Sequence, residues 1–199
     1  MTRNHLFICG FLCAMALMAL AACSKQQSGS ADAIGIPLPT AYPRLSLYDT
    51  TYCDAALPLG FLVNSNTKIS NPKQQNSTTD NQWVDIIYPA YGLTIHCTFI
   101  PVNDSSRESI TAQRLERMAL NIGLNYAEQT ELIAPSGCST LIFNTKGRSL
   151  TPLQFLSVGE QWIISGAAKF AADSVNPDSV RPLLEAVQSD IIYAAKRLH

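Results

Sequence analysis

The sequence predicts an α+β domain: an antiparallel sheet with a mid-chain helix and a long C-terminal helix packed on it. Three observations carry this. Residues Trp83 to Val102, WVDIIYPAYGLTIHCTFIPV, alternate in period two on both sides of a PAYG step, which is a β-hairpin pattern. Near the C-terminus, Val180, Leu183, Leu184, Val187, Ile191, Ala194, Ala195 and Leu198 form one apolar stripe at helical spacing. Between them, the runs TELIA, STLIFNT, LQFLSV and QWIISGAAKF are parted by Pro135-Ser136-Gly137, Lys146-Gly147 and Gly159. Strand-like runs parted by turn residues and followed by a helix read as a meander in an α+β fold.

The elements follow in order. Leu57 to Asn64, LPLGFLVN, reads as an early strand weakened by Gly60. Ser65 to Gln82 reads as one long polar loop, of the kind that is either functional or mobile. In the hairpin, Val84, Ile86, Tyr88, Leu93, Ile95, Cys97 and Phe99 should face a core, and Thr94, His96 and Thr98 the more exposed side. Arg107 to Tyr126 reads as a helix through Ile110, Leu115, Met118, Ile122 and Tyr126, with Ser106 as its N-cap. Pro177 and Pro182 bracket the start of the last helix. Proline is tolerated in a first turn, so the regular helix is expected from near Pro182.

The N-terminus reads as an export signal. Arg3 gives a basic start, and an apolar run extends from Leu6 to Ala22. That run is short for a bilayer span, which needs about 20 apolar residues. It ends in Leu20-Ala21-Ala22-Cys23, which resembles the bacterial lipobox, followed by the polar Ser24-Lys25-Gln26-Gln27. Residues 1–22 are therefore expected to be a lipoprotein signal peptide. Cys23 is the expected lipidation site, carrying a diacylglycerol and an N-acyl chain such as palmitate. Several acyl chains anchor stably, since each buried methylene contributes about 0.8 kcal/mol. Residues 23–41, rich in Ser, Gly, Gln, Ala and Pro, read as a flexible tether, and residues 42–199 as a single domain. By resemblance to other bacterial lipoproteins, Ser24 and the lack of an acidic cluster after Cys23 imply the outer membrane, facing the periplasm. The inner membrane is the alternative.

Composition narrows the function. The net charge is −1 and charged residues make up 15 % of the chain, well mixed. There is no basic stripe to bind nucleic acid. Beyond Cys23 three cysteines remain, Cys53, Cys97 and Cys138. In an oxidising compartment two readings stay open, one disulfide or three buried thiols. Of the histidines, His96 and His199 follow the signal. They have no neighbours at ligand spacing, so no metal site or other cofactor is expected. No HExxH, GxSxG or phosphate-cradling glycine loop occurs. His96 and Cys97 are adjacent in a strand and point to opposite faces. The sequence thus predicts no catalytic set. The residues set aside as partner or ligand contacts are His96, Asp85, placed to face solvent or pair across the hairpin with a Thr or His, and Trp83, which otherwise reads as sheet packing.

The residues also resemble a known family. The strand pair from Trp83 to Val102 is similar to that of the GldD family, gliding-motility lipoproteins of the Bacteroidota. Tyr42-Pro43-Arg44, the placement of Cys53, and the pieces LQFLSVGEQWIISGAAKF and NPDSVRPLLEAVQSDI resemble the same family in the same order. The long loop from Ser65 to Gln82 and Asp85 depart from its pattern. The resemblance implies an envelope role in gliding and association with type IX secretion, with other gliding and secretion proteins as partners. The element order is also reminiscent of PsbP-like domains, a fold-level analogy. Three functions follow as expectations: a non-enzymatic lipoprotein subunit, a periplasmic module binding a small molecule or lipid in an apolar pocket beneath the C-terminal helix, and an enzyme using Cys138 or Cys97.

Overall fold

The computed structural model describes residues 51–71, 80–171 and 175–199. The signal, Cys23, the tether and Tyr42-Pro43-Arg44 lie outside the described residues. The strands are β1 (Tyr52–Asp54), β2 (Leu62–Asn64), β3 (Lys68–Ser70), β4 (Gln82–Tyr88), β5 (Leu93–Pro101), β6 (Ala127–Ile133), β7 (Ser139–Thr145), β8 (Leu153–Val158) and β9 (Trp162–Phe170). The helices are α1 (Asp104–Ile122) and α2 (Pro177–Ala195). β1 and β2 form a small antiparallel pair, and the other seven strands form one sheet in the order β3-β4-β5-β9-β8-β7-β6. Every pairing is antiparallel. The fold is α+β, as the sequence predicts.

The topology explains the layers. β3, β4 and β5 run as a meander. α1 then carries the chain to the far edge, where β6 begins a second meander that returns toward the middle. β9 closes the gap between β5 and β8, pairing Leu93 with Phe170 and Pro101 with Trp162 at its two ends. One sheet face presents Val84, Ile86, Leu93, Ile95, Cys97, Phe99, Ile142, Leu153, Phe155 and Ile164 to α2 and to Phe61 and Val63 of the β1–β2 segment. The other face packs Ile100, Leu156 and Ile163 beneath Met118 of α1. Three polar side chains, Gln154, Thr140 and Ser157, are buried with partners. Asn121 donates to the Gln154 side-chain oxygen at 3.0 Å, and Thr140 and Ser157 share a 2.7 Å hydrogen bond.

Local chemistry moves several boundaries from those expected. Leu57 to Asn64 is not one strand. Pro58–Gly60 forms a 3-10 turn with positive φ at Leu59 and Gly60, and the strand is limited to Leu62–Asn64. The polar loop holds β3, whose Ile69 pairs with Ile86. Its residues 72–79 lie outside the described residues. α1 starts three residues earlier than expected. Asn103 is the N-cap, accepting from Ser106 N–H at 3.0 Å, while Ser106 Oγ accepts from Asn103 N–H at 3.1 Å. Ser106 is thus the reciprocal member of a capping box, not the cap. Gly123, at φ +62, ends the helix before Tyr126. α2 begins at Pro177 because the Asn176 side chain accepts from Asp178 N–H at 3.1 Å. Pro182 sits inside the helix, near its solvated N-terminal end.

Gly166 marks the tightest packing in the sheet. It stands opposite Phe155 in register, and a Cβ there would overlap the Phe155 ring. That ring is held on its other side by Phe61, 5.9 Å away centroid to centroid. Gly166→Ala should therefore destabilise the protein by about 1–3 kcal/mol through overpacking. A urea denaturation midpoint unchanged by the substitution would contradict this.

Candidate partner-contact face

α1 packs on β8 and β9 and on Ile100 at the end of β5, and it leaves the rest of the β3–β5 half of that sheet face outward. In register across β4, β5 and β9, this half carries the rows Trp83–Thr98–Ser165, Asp85–His96–Ala167 and Ile87–Thr94–Lys169. Strand alternation puts all of these on one side. His96 Nδ1 lies 2.7 Å from Asp85 Oδ1, with side-chain exposures of 53 % and 27 %. Such exposed pairs contribute at most about 1 kcal/mol. The pair instead fixes the imidazole, leaving its Nε2 edge free to meet another molecule. Trp83 is 38 % exposed, a large aromatic surface left in water. At one end of this face a shallow hollow of about 390 Å³ is lined by Ile87, Thr94, His96, Lys169 and the Pro89–Gly92 turn. The structure thus brings Trp83, Asp85 and His96 together.

The cysteines do not join them. Cys53, Cys97 and Cys138 are all free, so neither expected thiol reading describes them fully. Cys53 is exposed because β1 is a short flanking strand. Its thiol donates to the Val63 carbonyl at 3.7 Å. Cys97 is buried on the α2 side, turned away from His96. Burial, with Asp85 adding to it, pushes its thiol far above the ordinary range. Such a thiol stays protonated and is a poor nucleophile.

A second cluster escaped sequence reasoning. Asp190 of α2 accepts from the Tyr52 hydroxyl at 2.8 Å, Asn64 Nδ2 at 3.0 Å and the Tyr88 hydroxyl at 3.1 Å. Tyr52 also stacks on Tyr193, with centroids 3.6 Å apart, and the Arg197 guanidinium lies over the Tyr193 ring. These contacts clamp the β1–β2 pair and β4 to α2. Burial raises the Asp190 pKa, and the three donors offset only part of that. Tyr52 and Tyr88 are pushed up as well, by burial first and then by the neighbouring carboxylate. The one available sequence signal was an acid in the C-terminal half of a helix, where the macrodipole disfavours it.

A further hollow of about 310 Å³ lies between the first turns of α2 and the β6–β7 pair. Glu128, Asn144, Lys146, Arg181, Glu185 and Gln188 line it. Its polar groups largely satisfy one another: Lys146 meets Glu128 at 3.0 Å, and Asn144 donates to Gln188 at 3.1 Å. Among the described residues no three His, Cys, Asp or Glu side chains converge as a metal site would require. No described helix is long and apolar enough to cross a membrane.

Comparison with protein families places this architecture. The family model described as gliding motility lipoprotein GldD matches residues 32–198. The chain belongs to that family. No curated protein and no solved structure matches it. The GldD match spans both the open sheet face and the Asp190 clamp. Membership in a lipoprotein family implies membrane anchoring and an envelope location, in keeping with the gliding-motility role in the family's description.

Two outcomes follow for the clamp. Asp190→Ala leaves the donors of Tyr52, Asn64 and the buried Tyr88 without their acceptor. It should lower unfolding stability by about 2–4 kcal/mol, read from denaturant midpoints at constant m. In alkali, the raised folded-state pKa values of Tyr52 and Tyr88 mean that the folded state retains protons the unfolded state has lost. Their contribution is complete below the ordinary tyrosine value of 10.0 and is lost as pH rises above it. Stability measured from pH 9 to 12 should fall less steeply in Tyr88→Phe than in the parent.

Proposed function

We propose that the protein is a membrane-anchored, non-enzymatic subunit of the gliding and type IX secretion apparatus, held by acylated Cys23 at the outer membrane and facing the periplasm. It works by contact, through the β3–β5 half of the sheet. The observation that carries this is the open face itself: a partly exposed tryptophan beside an imidazole fixed by Asp85, on the stretch of β4 and β5 that α1 leaves open. Aromatic side chains with adjacent polar groups are common at the centres of protein interfaces. The family's gliding role and the high pKa of the Cys97 thiol support contact over catalysis. A ligand-binding module would need an apolar cavity between sheet and α2. That space is filled by Phe61, Phe99, Phe155, Leu183 and Val187, and the hollow beside α2 is polar.

In-cell crosslinking followed by mass spectrometry tests the reading. The expected result is capture of gliding or secretion components, lost in the double variant Trp83→Ser, His96→Ala and reduced at least about tenfold when Cys23 is replaced by Ser. Both residues of the double variant are exposed, so its melting temperature should stay near the parent's. Capture that survives the double variant would place the contact elsewhere. Full gliding and secretion in cells lacking the protein would overturn the role.

A further inference from the structure

Four large apolar side chains gather at one end of the sheet. Leu120, Leu124, Tyr126 and Leu150 are 75 %, 107 %, 69 % and 58 % exposed. Leu120 lies in the last turn of α1, Leu124 follows the Gly123 turn that ends the helix, and Tyr126 lies two residues further on. Lys146 N–H donates to the Tyr126 carbonyl at 2.7 Å, and Asn125 Nδ2 donates to the Arg148 carbonyl at 3.3 Å. These bonds dock the α1–β6 turn onto the β7–β8 loop that carries Leu150. Leu124, as exposed as a free side chain, projects outward from this tip.

The charges around the tip favour an anionic surface. Arg117 and Arg148 are exposed and take part in no ion pair among the described residues. The nearby Glu128 is neutralised by Lys146 at 3.0 Å. Glu116, one turn behind Leu120, is the acid left unpaired on that stretch of α1. Two guanidinium groups against one carboxylate leave the tip positive. Side chains projecting singly from turns also suit a fluid lipid surface better than a protein groove. Arginine beside leucine and tyrosine is the composition of an interfacial membrane contact.

We propose that this tip rests on the bilayer, with Leu124 and Tyr126 entering the headgroup boundary and Arg117 and Arg148 meeting anionic lipid phosphates. The proposal rests on the reading of the protein as lipid-anchored. Residues 24–50 span at most about 100 Å when fully extended, so the body is confined near the membrane that holds Cys23. A tip of modest intrinsic affinity is then engaged for much of the time, because the tether supplies a high effective concentration.

The test is flotation of the mature-length chain, residues 23–199 with Cys23→Ser and without the apolar signal, with vesicles of phosphatidylethanolamine containing about one third phosphatidylglycerol. Without the acyl anchor, binding reports on the tip alone. The expected result is flotation of the parent, with partitioning about tenfold weaker in Leu124→Glu, Tyr126→Ser. Arg117→Glu, Arg148→Glu should lose the salt-sensitive part of the binding. Circular dichroism melting confirms that these surface variants fold. A parent that fails to float, or variants that float like the parent, overturns the proposal. So does a parent that fails to float while Leu124→Glu abolishes protein crosslinks in cells, since the tip is then a protein contact. Failure of the anchor reading shows separately, as a Cys23→Ser chain and an unaltered chain extracted equally from cell membranes at high salt.

Discussion

The pairing of β5 with β9 is the constraint on which the rest of the fold depends. The chain lays down two meanders separated by α1, and only the β5–β9 ladder makes them one sheet. The ladder runs from Leu93 and Phe170 to Pro101 and Trp162, and Gly166 lies within it because Phe155 fills the space where a side chain would stand. A strand that closes a gap must satisfy neighbours on both sides, so its register is fixed twice. α1 must then pass over one face to reach the far edge. A helix about 10 Å across cannot cover seven strands spaced about 4.8 Å apart. The open half of that face, with Trp83, Asp85 and His96, is a consequence of topology.

The opposite face meets a different demand. α2 and the β1–β2 segment bury the main core, but β1 and β2 are three residues each and cannot hold themselves in place by ladder bonds. Asp190 supplies what the short strands lack. One carboxylate gathers donors from β1, β2 and β4. A buried carboxylate is costly to desolvate, which is why its pKa stays raised despite three donors. That cost brings specificity: the hydroxyls and the amide have one acceptor to find, and any slip of β1–β2 would leave a buried charge unpaired.

The legible parts of the sequence were those where one face decides. β4 and β5 alternate because one side meets the core and the other does not. β7 and β8 were found to the residue because turn chemistry brackets them. The α2 stripe is long enough to read despite Pro182. The pairing of Asp85 with His96 was one option read from strand alternation, since residues opposite each other in a hairpin share a face. The missing parts were short or long-range. β1 and β3 have three residues each, too few for a period to show. The N-cap of α1 is Asn103 where the sequence predicts Ser106, because both are good caps and only backbone geometry separates them. The Asp190 clamp joins residues 52, 64, 88 and 190, which no local pattern connects. The exposed end of α1 was hidden by its own regularity, since Tyr126 continues the helical spacing of Ile122 while the backbone has already turned at Gly123.

The open face and the apolar tip belong to one physical situation. Neither the hollow beside His96 nor the side chains at the tip form the deep, enclosed site that tight binding of a small ligand needs. Shallow contacts of this kind are weak when both partners diffuse freely. A tether changes the arithmetic, because it turns a second contact into an intramolecular one and raises its effective concentration to the millimolar range. A chain from a lipoprotein family therefore has no need of a deep pocket to act at a defined place. A surface tryptophan held beside a fixed imidazole, and leucines held on a bonded pair of turns, are ordered before any partner arrives. The anchor supplies proximity, and the sheet supplies preorganisation, which lowers the ordering cost of each contact.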